Sequence, residues 1–104
     1  MATDSFVFLS GQVGIDAATE QLVEGGVAAQ TAQVFINLGI VLQAAGKQFA
    51  DVVRVGVYLT DIADFAAMNA VYAEHFRQPY PARTTIAVVA LPFGASVEID
   101  LVAR

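Results

Sequence analysis

No cysteine occurs in the 104 residues, which removes disulfides and thiol nucleophiles from consideration. Histidine occurs once, at His75, so paired-imidazole acid–base chemistry is excluded. Basic side chains are few and scattered, at Lys47, Arg54, Arg77, Arg83 and Arg104, and the formal net charge is −5. That distribution offers no positive stripe to neutralise a phosphate backbone, and nucleic acid is not an expected partner. The uncharged stretch from Thr84 up to Glu98 is broken by Pro92 and Gly94. It falls short of the roughly 20 apolar residues that a membrane helix needs, so no membrane partner is expected. The opening Met1–Ser5 has neither a basic region nor a long apolar core, which points to the cytoplasm. Repeats and low-complexity tracts are also missing, and residues 1–104 read as one domain.

What remains is strongly apolar: 57% of residues are hydrophobic and only 14% are charged. A monomer this small has too little interior to hide that much apolar side chain, and an oligomer is expected.

The pattern of apolar residues gives the order of elements. Phe6 to Gln12 is β-rich, and Gly14 with the polar Asp16–Glu20 stretch suggests a turn leading to Gln21–Val23, a first hairpin. Val27, Thr31, Val34, Phe35, Leu38, Val41, Leu42 and Ala45 recur at helical spacing, so a helix is expected over 27–45 with Gly46 beyond its end. Val52 to Leu59 reads as a central strand, with Arg54 and Tyr58 on one side and Val53, Val55 and Val57 on the other. Asp61 is placed to cap a second helix, with Phe65, Met68, Tyr72 and Phe76 as its buried stripe and Asn69 beside it. Arg83 to Val89 and Ser96 to Ala103 are the last two strands. The expected fold is α+β in the order β-β-α-β-α-β-β, with both helices on one face of the sheet because such crossovers are right-handed. The other face would be left for neighbouring subunits.

Arg83 and the acids of Val97-Glu98-Ile99-Asp100 stand out as charge within strand-forming sequence. A guanidinium matches a carboxylate two bonds at a time, so a half-buried Arg83 suggests recognition of a small organic acid. An internal salt bridge to Glu98 or Asp100 is the alternative reading. If the last two strands formed a simple hairpin, Arg83 and Glu98 would sit about 17 Å apart. A direct pair therefore needs a different strand order or two subunits.

The element order, with Ser10-Gly11-Gln12, Val23-Glu24-Gly25-Gly26, Asn37-Leu38, Ala44-Ala45-Gly46, Val57-Tyr58-Leu59-Thr60-Asp61, Asp64-Phe65, Asn69 and the Pro81-Ala82-Arg83 to Glu98-Ile99 block, resembles the YjgF/RidA family, also called L-PSP endoribonuclease-like. The resemblance covers nearly the whole chain. It implies a chorismate-mutase-like fold, a homotrimer with clefts between subunits, and cofactor-free hydrolysis of 2-imino or enamine acids to 2-keto acids and ammonia. Carried over by position, Arg83 would hold the substrate carboxylate and Glu98 would orient the attacking water. Thr85 stands where many relatives have cysteine and would contribute backbone contacts. Gly11 and Asn69, from the neighbouring subunit, would complete the cleft, with Phe65 as a wall. Relatives usually begin with an additional strand, and the expectation is that this domain lacks it. The resemblance calls for no metal or cofactor.

Other residues read as structural: His75 as a surface or helix-end residue, Met68 and the phenylalanines as core, and Asp100 as outside the catalytic set. Two further readings stand beside the deaminase: a non-catalytic trimer that binds or senses small carboxylates, and a ribonuclease, which the acidic composition disfavours.

Overall fold

A computed structural model describes residues Met1–Arg104. Eight regular elements follow in order: β1 (Val7–Val13), β2 (Ile15–Asp16), β3 (Gln21–Leu22), α1 (Gly26–Ala44), β4 (Val52–Leu59), α2 (Phe65–Tyr72), β5 (Ala82–Ala87) and β6 (Val97–Ala103). The main sheet runs β1-β6-β4-β5, with β4 parallel to β5 and β6 antiparallel to both β1 and β4. The mixed α+β architecture with two helices matches the expectation. The last two strands are not neighbours, because β4 lies between them.

Helix α1 ends where Gly46 takes a left-handed φ of 74°. The Gly46 N–H then reaches the Gln43 carbonyl at 3.0 Å and the Lys47 N–H reaches that of Leu42 at 2.9 Å, a Schellman closure that satisfies the last turn. Its 19 residues are long and apolar enough to cross a bilayer by length and composition. Instead it lies on the sheet, and Val34, Phe35, Leu38 and Leu42 enter the core. From the sheet come Val55, Val57, Leu59, Val97, Ile99 and Leu101, and from α2 Met68 and Tyr72. Full burial of each large aliphatic side chain contributes about 1.5–3 kcal/mol. Two polar groups are tied into this layer. Asn37 donates to the carbonyls of Val13 and Ile15, and buried Gln30 accepts the Ser96 N–H at 2.8 Å.

Three expectations need correction. The hairpin at the start forms between β2 and β3, whereas β1 pairs with β6, because the Asn37 bonds at Val13 and Ile15 bend the chain out of the sheet at Gly14. Val53 is exposed, since a register shift between Val52 and Arg54 interrupts the alternation of β4. Phe76 is buried but lies beyond α2, which closes through tightened bonds from Glu74 to Val71 and from His75 to Tyr72. His75 lies at the end of α2 as read, half-buried, with its ring stacked on Phe35, centroids 4.1 Å apart and planes 7° from parallel. Burial lowers its pKa from the ordinary 6.5, with Glu74 opposing.

Candidate functional site

The pleat decides where the chemistry goes. On β6, Val97, Ile99, Leu101 and Ala103 are buried, so Glu98 and Asp100 point to the face away from the helices. On β5, Arg83 is level with the buried Val55 and reaches side chains of α2, which places it on the helix side. Arg83 and Glu98 therefore occupy opposite faces of one sheet, with β4 between their strands. The internal salt bridge is not made, because neither acid lies on the side to which the guanidinium extends.

Around Arg83 the partners are a carboxamide and two rings. Its Nη1 donates to Asn69 Oδ1 at 2.6 Å. The guanidinium carbon lies 4.4 Å from the centre of the Tyr72 ring and 5.4 Å from that of Phe65. Both distances suit a cation over an aromatic face. Beside it opens a cavity of about 350 Å³, lined by Asn69, Tyr72, Ala73, Phe76, Tyr80, Pro81 and Arg83. A broader hollow of about 510 Å³ lies across the same loop, around Phe49, His75 and Arg77. The smaller one holds the oriented cation and is the candidate for acid recognition. Thr85, two positions further along β5, has a buried hydroxyl with no hydrogen-bond partner.

The open face carries a second cluster. Residues Ser10 and Gly11 sit in a register shift of β1 against β6. A Cβ at Gly11 would fall 2.7 Å from Glu98 Oε2, so the glycine makes room for that carboxylate. Nearby, the Tyr58 hydroxyl donates to Asp100 Oδ2 at 3.0 Å, and this bond, ahead of the acid's charge, raises the tyrosine pKa. Asp100 thus has a structural partner, and Gly56 leaves the space its Oδ1 occupies. Arg54 donates to Thr84 on the same face at 2.7 Å.

Of the residues singled out in the sequence, Arg83, Asn69, Phe65 and Thr85 fall on the helix side of the sheet, and Gly11 and Glu98 meet on the open face. Asn69 was expected beside Arg83 from a neighbouring subunit, and it is instead the partner of Arg83 within one chain, because the Arg83 side chain reaches from β5 to α2 of the same chain. Tyr72 was read only as core. The signal that marks it is its spacing from Asn69 and Phe65, which places all three along the helix surface that meets Arg83.

Known proteins are similar to this chain along most of its length. A protein of Capra hircus named 2-iminobutanoate/2-iminopropanoate deaminase is 46% identical over 96% of this chain and 73% of its own length. Among solved structures, RidA of an Antarctic Psychrobacter superposes with a TM-score of 0.95 at 42% identity, covering 100% of this chain and 84% of that one. E. coli TdcF with bound serine gives 0.90 at 32% identity, covering 99% and 83%. The family model described as Endoribonuclease L-PSP matches residues 1–104, and the chain belongs to that family.

Proposed function

We propose that this protein hydrolyses reactive 2-imino acids, such as 2-iminobutanoate and 2-iminopropanoate, to 2-keto acids and ammonia in clefts between the subunits of a homotrimer. The observation that carries the reading is the Arg83 guanidinium, held by Asn69 and Tyr72 at the edge of a cavity and unpaired with any acid. A cation so placed suits a small carboxylate. The deaminase names of relatives at 44–46% identity support it, as does the serine bound to TdcF, a small carboxylate in a related fold.

In this reading Arg83 fixes the substrate carboxylate, Asn69 and Phe65 hold the arginine, and Thr85 faces the same cleft. Glu98 and Gly11 arrive from a neighbouring copy. A protonated imine is already electrophilic, so the protein supplies position, a water aligned by Glu98 and exclusion of bulk solvent. The water oxygen bonds to the imine carbon while its proton passes to the Glu98 carboxylate; Glu98 returns that proton to the amino nitrogen of the carbinolamine, the C–N bond breaks to release ammonia, and the hydroxyl proton passes to the departing ammonia as the keto C=O forms. Arg83, Glu98 and a water suffice, and no cofactor enters.

The test uses an amino-acid dehydratase to generate the imine and follows ammonia release. Arg83→Ala and Glu98→Gln are each expected to lose most of the acceleration while assembling normally. Co-refolded in equal amounts, the two variants recover about a quarter of wild-type activity, because in a ring a randomly formed junction joins an intact Arg83 to an intact Glu98 about one time in four. Mixtures as inactive as their parents would remove the shared cleft. Carboxylate binding without ammonia release would replace the enzyme with a carboxylate-binding module.

A further inference from the structure

Tyr72 has a double position. Its ring lies under the Arg83 guanidinium at 4.4 Å, yet it is only 8% exposed. It meets Phe35 edge-on with centroids 5.9 Å apart and Phe76 at 4.8 Å. Phe35 and Phe76 are themselves buried, so the Tyr72 ring cannot turn without displacing the core. Asn69, three residues earlier on α2, accepts from Nη1 of the same guanidinium. One side chain therefore fixes the plane of the cation, and the other fixes its rotation within that plane.

We propose that Tyr72 is a positioning residue: its ring face, clamped by the core, orders Arg83 before any ligand arrives, so that the free edge of the guanidinium faces the cavity. The inference rests on the reading of Arg83 as a carboxylate anchor. A free arginine side chain samples many rotamers, and an anchor already immobilised loses less of that entropy on binding. A cation over an aromatic face contributes more once desolvated, and this one lies between Tyr72 and Phe65. The ring face carries the effect, so phenylalanine would serve in its place and an aliphatic side chain would not. The phenol itself stays neutral, since burial raises its pKa against the opposing influence of Arg83.

The experiment compares wild type, Tyr72→Phe and Tyr72→Leu by nuclear magnetic resonance of the Arg83 guanidinium and by titration with 2-oxobutanoate. An Arg83 Nε–H signal displaced upfield by the ring current is expected in wild type and Tyr72→Phe, and only the smaller displacement due to the more distant Phe65 ring in Tyr72→Leu. Affinity for 2-oxobutanoate should stay within about twofold in Tyr72→Phe and fall about 5- to 30-fold in Tyr72→Leu, the equivalent of ~1–2 kcal/mol. With the imine as substrate the loss should appear in KM and leave kcat nearly unchanged. Thermal unfolding identifies a leucine variant that fails to fold, in which case Tyr72→Met, which fills the same space flexibly, takes its place. An unshifted Arg83 signal in wild type, or wild-type affinity in a folded aliphatic variant, overturns the proposal. If Arg83→Ala binds 2-oxobutanoate as well as wild type, the anchor reading fails, and the ring-current comparison still decides whether Tyr72 orders the arginine.

Discussion

Replacing Gly11 with alanine should separate the water-orienting half of the site from everything else. The added Cβ would stand 2.7 Å from Glu98 Oε2, 2.9 Å from its Cδ and 3.1 Å from its Cγ. Ordinary contact begins near 3.4 Å, so the carboxylate must retreat by roughly 0.7 Å. The obstructing atoms are the free end of a flexible side chain, and the stability cost should stay within about 1 kcal/mol. Catalysis is less tolerant, since a misplacement of about 1 Å at a reacting group costs on the order of 100-fold. The variant is therefore expected to lose about 10- to 100-fold in kcat, with KM close to wild type because Arg83 lies on the other face of the sheet. Dehydratase-coupled ammonia release measures the rate, and urea unfolding measures the stability. A folded Gly11→Ala protein with more than half the wild-type rate would refute the role given to Glu98.

Two further outcomes test the packing. Burial lowers the His75 pKa, so the unfolded chain binds a proton more readily than the folded one. Stability is then fully present above the unfolded value near 6.5 and declines as pH falls from there toward the folded value. In His75→Phe, which keeps the stack on Phe35, this part of the decline should vanish; urea midpoints at several pH values check it, and identical profiles would count against it. Phe93 holds a left-handed φ of 62° with its ring 76% exposed. Phe93→Asn is expected to stabilise the fold by roughly 0.5–1 kcal/mol, since asparagine tolerates that conformation better, and a lower melting temperature would contradict this.

The elements with long, regular periodicity were legible. Helix α1 and strand β6 carry apolar residues at the spacing their burial requires, with observed bounds within one residue of those read, and β4 keeps the bounds read although its alternation breaks at Val53. Strand order was less so. Nothing local to Arg83–Val89 or Ser96–Ala103 records that β4 inserts between them, and a hairpin across Leu91–Ala95 was an equally good local solution. The candidate site residues stood out by type and by family likeness, but their grouping did not. Assigning Asn69 to Arg83 depends on the reach of the Arg83 side chain from β5 to α2, and pairing Gly11 with Glu98 depends on a register shift that leaves no mark in composition. The stacking of His75 was not legible for a related reason, since its partner Phe35 is forty residues away in sequence.

The proposed cleft follows from a parity argument. Strand side chains alternate, so on β6 the same alternation that buries Val97, Ile99 and Leu101 must turn Glu98 outward. On β5, Arg83 shares a level with Val55 and turns inward. No rotamer brings an outward acid on one strand and an inward cation two strands away to a single substrate. Meanwhile the open face holds Phe8 and Ile86, each more than 40% exposed, around the Tyr58–Asp100 bond. A second copy laid on that face would cover those apolar groups and, with its β5 edge at the rim, bring an Arg83 toward Glu98. Assembly and catalysis would then be coupled, because the surface whose burial holds the copies together is continuous with the surface that presents the water-orienting acid.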